Sequence, residues 1–578
     1  MLSLNTGDTG FVMLCTALVC MMTPALALFY GGMVRKKNVL TIMMQNFISM
    51  GVTAIIWIFG GFSLAFGPDV GGLFGDISYH FALDKVGIAP SPVYASTVPF
   101  ILFFAYQLMF AVIAPALITG AFAGRLNFRG YLKFLILWMI FIYIPVCHWI
   151  WGGGFLAKIG VMDFAGGIVI HVSAGFAALA SVIFLGRRDD MKPGEPTVPN
   201  NLPLVAVGAG LLWFGWFGFN GGQTLSLTGE QTILKAASIF FTTNIAAAAG
   251  TTTAMVTTWI RYGKPDVSMT LDGSLAALVA ITAGCDVVSV PGAFVIGALA
   301  GIVTVFLIEF IDQKLRIDDP VGAIAAHGGC GALGTLLTGL FSVQDGLFYT
   351  GEIRLFLVQL AGVVAMALFV FVAMTLVFRI LQATIGLRVS AAEEINGLDF
   401  KENGLVPAYE LDRSDDLEDL SQALKAGEAP EGVQEIPLDQ AIPDSVMASP
   451  QPVGGHALYN VTIITDEKRF ETLKDAMEAI GITGMTITRA LGFGIEKGRT
   501  EFYRGAKVSA KLLPKVRVEM VVSKVSPRTI IETAKKVLYT GNYGDGKVFV
   551  SAIDNAVKIR TGEEGCDALQ DYPVVQKK

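Results

Sequence analysis

The chain has 578 residues, 53% of them hydrophobic and 16% charged, with a mean hydropathy of +0.60. That balance excludes an ordinary soluble protein and indicates a membrane protein. The formal net charge of -6 sits mainly beyond about residue 390 and carries no signal for nucleic acid, and the six cysteines lack the spacing of a disulfide framework or zinc site.

A membrane crossing needs about 20 apolar residues. Eleven segments qualify, roughly 10–31, 40–66, 98–121, 132–151, 164–186, 203–222, 234–260, 270–288, 292–311, 323–343 and 355–380. The start, MLSLNTGDTG, has no basic segment, so no cleaved signal peptide is expected. Arg35, Lys36 and Lys37 follow the first segment, Arg125, Arg129 and Lys133 the third, and Arg187, Arg188 and Lys192 the fifth. The pattern continues with Arg261 and Lys264, Lys314 and Arg316, and Arg379 and Arg388. Basic connections stay in the cytoplasm, which predicts an outside N-terminus and a cytoplasmic C-terminus.

Residues 163–171, DFAGGIVIH, are echoed by 319–327, DPVGAIAAH, and the two segments run in opposite directions across the membrane. Eight residues of helix carry His171 and His327 about 12 Å from Asp163 and Asp319, toward the midplane from opposite sides. FYGG at 29–32 and FNGG at 219–222 form a weaker echo. The pattern predicts a five-plus-five inverted repeat with one added helix and a substrate site at the repeat interface. Intramembrane ionisable groups are costly and usually functional. The competing readings are histidines that only hydrogen-bond neighbouring helices, or a haem pair. Glycines at 152–154, 166–167, 220–222 and 328–331 permit close helix approach.

LFYGGMVRKKN (28–38), WGGGFLAKIGVMDFAGGIVIH (151–171), WFGFNGG (216–222), RIDDPVGAIAAHGGCGALG (316–334) and GLRVSAAEEINGLDF (386–400) closely resemble the Amt/Mep ammonium transporters over roughly 8–410. The resemblance implies a homotrimer of eleven-helix protomers in a bacterial inner membrane, with one pore in each. It places Phe110 and Trp151 at an outer cation site, Phe110 and Phe219 at a gate, and His171 and His327 along the pore. Asp163 would support the outer site, Trp216 would lie at the inner end of the histidine pair, and Gln223 stands where the family commonly has a serine completing the outer site. No pore cofactor and no metal site are expected.

Beyond the membrane part (1–390), residues 391–457 read as a cytoplasmic C-terminal region and linker, the linker being the acidic, proline-containing stretch 412–457. Strands are predicted at 458–464, 485–491, 515–523 and 547–553 and helices at 470–480 and 527–541, a βαββαβ order of ferredoxin type. GITGMTITRALGFGIEKGRTEFYRGA (481–506), LPKVRVEMVV (513–522), TGNYGDGK (540–547) and KIRTGEEG (558–565) closely resemble PII signal-transduction proteins over 458–570. The resemblance implies ATP or ADP binding, with or without magnesium. Gly544, Gly546 and Lys547 would cradle phosphates, Lys558, Arg560 and Lys515 would complete the charge, and Glu519 would lie near the adenine. Glu496 replaces a glutamine that helps hold magnesium and 2-oxoglutarate. Lys558 replaces an arginine, and Val508 stands where relatives carry a modified tyrosine. Tyr503 and Arg504 would sit on the gating loop. No enzyme is expected; the leading reading is an ammonium transporter regulated by its own PII domain, and the alternative is an ammonium sensor with little flux.

Overall fold

The computed structural model describes residues 3–189, 198–403, 458–466, 469–492, 500–503, 506–509, 513–540 and 545–569. Residues 404–457, Glu496, Arg504 and Gly544, and the side chains of Tyr503 and Val508, lie outside the described set. The chain forms two compact units.

In the N-terminal unit, ten helices among the described residues are long and apolar enough to cross a membrane. They are α1 Thr6–Met33, α2 Lys36–Phe66, α3 Phe100–Thr119, α4 Phe128–Ile159, α5 Gly167–Leu185, α6 Leu202–Thr224 and α7 Glu230–Tyr262, then α9 Val290–Lys314, α10 Ile324–Phe341 and α11 Arg354–Ile385. Between α7 and α9 lies a shorter apolar helix, α8 Val267–Thr282, of 16 residues. It starts earlier and ends earlier than the predicted 270–288, because Gly284 to Val288 fold into turns closed by Val287 and Val288 N–H donating to the Gly284 carbonyl. Most of these helices are apolar around their circumference, and Ile55, Phe214, Ile260 and Leu368 are exposed on the outside of the bundle, as suits contact with lipid.

Polar side chains punctuate the bundle. Asn5, Asn127, Asn201, Asp266 and Ser289 each accept a backbone N–H three residues ahead and so cap α1, α4, α6, α8 and α9. Helix α6 packs along α1, and a Cβ at Gly208 would come within 2.4 Å of the Phe29 nitrogen, so this crossing admits only glycine. After α11, Ser390 opens α12 Ala391–Asn396 with a capping box, and α13 Leu398–Asn403 follows. The Asp399 carboxylate accepts the N–H groups of Leu40 (3.0 Å) and Thr41 (2.8 Å) near the start of α2.

The C-terminal unit contains a four-stranded antiparallel sheet and two helices. Strands β1 Leu458–Asp466, β2 Thr486–Gly492, β3 Leu513–Val522 and β4 Lys547–Ile553 lie in the order β2-β3-β1-β4. Alternation puts Val461 and Ile463 of β1 beside Val516, Val518 and Met520 of β3 in one core. Leu473 and Met477 of α14 Phe470–Ala479 and Ile530 and Ala534 of α15 Pro527–Leu538 cover that face. A short ribbon, Thr500–Tyr503 with Ala506–Ser509, lies in sequence between β2 and β3.

Candidate functional site

Three aromatic residues meet in the N-terminal unit, and one of them, Phe219, also lines a narrow cavity. Phe110 of α3 and Phe219 of α6 are 4.4 Å apart between ring centroids, and the Trp151 ring meets Phe110 edge-on at 5.7 Å and 89°. Trp151 ends a helical stretch of α4, where the chain turns through Gly152–Gly154. Its indole N–H donates to the backbone carbonyl of Asp163 at 2.8 Å. One turn earlier, His148 is held between the Ala65 carbonyl and the Asp69 carboxylate, both at 2.9 Å. Hydrogen bonds from His148 and then Lys158 pull the Asp69 carboxyl down to about 2, so the loop that follows α2 is tied to the turn that carries Trp151.

The Asp163 side chain does something the sequence did not suggest. Its buried carboxylate accepts four successive N–H groups, from Gly166 (2.9 Å) and Gly167 (2.6 Å) on one oxygen and Ile168 (2.8 Å) and Val169 (2.9 Å) on the other. It is the cap of α5, satisfying donors that a helix start leaves orphaned. Gly166, at φ +111°, lets the chain turn into that cap. Asp319 repeats the device, accepting Ala323 N–H (3.1 Å) and Ile324 N–H (2.8 Å) behind Gly322 at φ +73°.

Both caps launch wide π-helical turns, Gly167–Val172 and Ile324–Gly329, and these carry the two histidines. The rings of His171 and His327 stack 5.3 Å apart at 12°. Close approach of α5 and α10 permits it: a Cβ on Gly175 would lie 2.0 Å from the Gly328 nitrogen. Both ring nitrogens of His171 and Nδ1 of His327 are buried without a protein partner among the described residues. That disfavours histidines whose task is to hold neighbouring helices, because a packing role would use those nitrogens. Trp216 stacks on His171 at 5.4 Å and is fixed by its indole N–H to Thr282 Oγ1 at 3.0 Å.

A cavity of about 20 Å³ is lined by Phe219, Trp216, His171, His327, Tyr30 and Asp272, among others. One water needs roughly 10–15 Å³ on this measure, so the cavity has room for one or two molecules of that size. Gln223 pairs with a residue the sequence pattern does not single out: Gln107 Nε2 donates to Gln223 Oε1 at 3.1 Å, one turn before Phe110. Asp272 is likewise absent from the expected site residues. An averaged hydropathy hides one carboxylate in SMTLDGSLAALVAIT, although an acid inside a predicted span is itself a signal.

In the C-terminal unit, register sets Asp466 opposite Lys515 and Ile464 opposite Lys547, bringing both lysines to one end of the sheet. Lys515 is mostly buried, its ammonium 4.0 Å from Asp466, whereas Lys547 is exposed. Gly546, at φ +114°, crosses so close to β1 that a Cβ would meet the Ile464 carbonyl at 2.1 Å. Glu519, further along β3, accepts from Arg517 at 2.6 Å and lies opposite Thr462. Lys558 pairs with Glu563 at 2.8 Å, and Arg560 is exposed in the same turn.

The model of the Ammonium Transporter Family matches residues 10–407, and that of the Nitrogen regulatory protein P-II matches 458–563. The chain belongs to the ammonium transporter family, with a PII domain fused behind the transporter. An ammonium transporter of Aquifex aeolicus is 41% identical over 400 residues, 68% of this chain and 91% of that protein. One of Bacillus subtilis is 40% identical over 408 residues, covering 69% and 98%. Among solved structures, one described as "Sensor Amt Protein" aligns with a TM-score of 0.63 and 31% identity over 68% of this chain and 98% of its own. Candida albicans Mep2 aligns with a TM-score of 0.62 and 32% identity, covering 68% and 88%.

Proposed function

We propose that this transporter moves ammonium through each protomer of a trimer, in a bacterial inner membrane crossed by eleven helices, α8 among them, with the N-terminus outside. The observation that carries the proposal is the sequence of surfaces along one lumen: an aromatic corner at Phe110, Phe219 and Trp151, then two stacked imidazoles with unpartnered nitrogens. An aromatic face attracts a small cation by about 0.5–2 kcal/mol. Carrying that cation intact through an apolar bore costs more than the rings return. Deprotonation at the Phe110–Phe219 gate removes the cost: neutral ammonia crosses the lumen while the imidazole pair relays the proton. Asp163 fixes the helix start on which His171 is mounted, and its backbone carbonyl orients Trp151.

The C-terminal unit, read as a ferredoxin-like PII domain, binds ATP or ADP at the sheet end where Lys515, Gly546 and Lys547 converge, and its nucleotide occupancy regulates flux. One structural relative is described as a sensor, which makes sensing the second reading. Ammonium-evoked current from proteoliposomes of the full chain separates the two. Transport predicts a current that Trp151→Leu weakens at low ammonium and His171→Ala abolishes or uncouples. Absence of current, with ammonium-dependent change in nucleotide affinity, would establish the sensor.

A further inference from the structure

We infer that Asp272 is the inner proton station of this pore, receiving the proton that leaves the His171–His327 pair and returning it to ammonia at the far end of the lumen. The inference rests on the transport reading. Asp272 is 2% exposed and borders the same cavity as His171, His327 and Phe219. An ionisable side chain inside a membrane unit is costly and normally lines a path that ions or protons use. Starting α8 does not require it, because Asp266 supplies the cap through Met269 N–H and Asp272 sits a turn and a half further on.

Position along α8 gives the station its place in the sequence of events. Thr282, at the other end of the helix, holds Trp216 beside His171. Ten residues of helix separate Asp272 from Thr282, about 15 Å. The orientation read from the basic loops puts the start of α8, and so Asp272, on the cytoplasmic side of the histidines. The other titratable groups facing this part of the lumen are Tyr30 from α1, His171 from α5 and His327 from α10. Tyr30 donates its hydroxyl to the Leu117 carbonyl at 2.8 Å and lies within Coulombic reach of Asp272 and Asp319.

The chemistry balances. Ammonium loses one proton at the gate, and the imidazoles pass it on. The Asp272 carboxylate accepts it, forming an O–H bond. Ammonia arriving through the lumen then takes it: the nitrogen lone pair forms the new N–H bond as the O–H bond breaks, which restores the carboxylate. One ammonium ion enters and one leaves. An imidazole pair alone delivers a proton only as far as its inner nitrogen; a carboxylate beyond it lets the two separated species recombine before they reach bulk solvent.

The test uses the full chain in proteoliposomes, with ammonium-gradient currents in H₂O and D₂O for wild type, Asp272→Asn and Asp272→Glu. Elution as the wild-type oligomer verifies folding. Asp272→Asn keeps the shape and removes the titration, so its current should fall about a hundredfold or more, the scale of losing an acid–base group. Its remaining current should show a larger H₂O/D₂O ratio than wild type, since proton transfer becomes limiting. Asp272→Glu should restore most of the current. An Asp272→Asn current within twofold of wild type overturns the inference. So does a reduced current with an unchanged isotope ratio that Asp272→Glu fails to restore, which would mark a packing role. A silent wild type instead removes the transport reading, and the station with it.

Discussion

Asp163→Asn isolates the α5 cap from the aromatic corner it adjoins. The carboxylate serves four N–H groups in two pairs, one pair on each oxygen. Asparagine keeps one carbonyl oxygen, enough for Gly166 and Gly167, and turns an NH₂ group toward the N–H groups of Ile168 and Val169. Two hydrogen bonds to a charged acceptor are lost, each worth about 1.5–3 kcal/mol. Opening of the first turn of α5 should therefore become easier by about 3–6 kcal/mol, or two to four orders of magnitude at roughly 1.4 kcal/mol per decade. Hydrogen exchange of a peptide spanning 163–172, measured in the full chain, reports this directly. The Trp151 contact uses the Asp163 backbone carbonyl, so the indole environment should stay unchanged. Exchange at wild-type rates in Asp163→Asn would refute the account of the cap.

Three further expectations follow from the same geometry. Asp318 is buried between Arg188, at 2.5 Å, and Arg125, at 3.5 Å; burial alone would raise its carboxyl, but the two guanidinium charges and the Arg188 hydrogen bonds hold it well below the usual range. Its stabilisation is complete above the unfolded value of about 3.9 and is lost by about 1.4 kcal/mol per pH unit as pH falls from there toward the lowered folded value, so the penalty of Asp318→Asn, about 3–5 kcal/mol at pH 7, should begin to shrink in melts below about pH 4. Gly175→Ala should separate the two histidine segments, at about 1–3 kcal/mol of overpacking, and lower both the yield of folded protein and the current, whereas Gly210→Ala, with nothing within 4 Å, should do neither. Gln107→Ala removes the partner of Gln223 and should shift the ammonium concentration for half-maximal current; an unchanged value would exclude the amide pair from ammonium binding.

How far the sequence could be read depended on which forces act locally. Strand β1 was legible because alternate residues of LYNVTIITD face a core, and α14 and α15 because their apolar residues recur at helical spacing. The paired histidines were visible as an echo in the chain. What could not be read was the purpose of each aspartate: the cap depends on a positive φ at Gly166 and Gly322 and on a π-turn, which residue identity permits but does not announce. Gln107 was invisible for a different reason. It lies 116 residues from its partner, and only the packing of α3 against the end of α6 joins them.

The Asp399 contact bears on where this protein can be cut. A carboxylate 359 and 358 residues downstream of Leu40 and Thr41 completes the hydrogen bonding near the start of a membrane helix. Leu398 N–H donates to Asn38 Oδ1 at 2.9 Å, and Glu394 accepts from Arg388 at 3.0 Å and from Asp189 N–H at 2.7 Å. A truncation at the last apolar residue would free the PII domain and, in the same stroke, unlatch α2 and the loop after α5. Any deletion meant to ask what the soluble domain contributes has to retain the chain through Asn403; a shorter one conflates loss of the regulator with loss of a latch belonging to the channel.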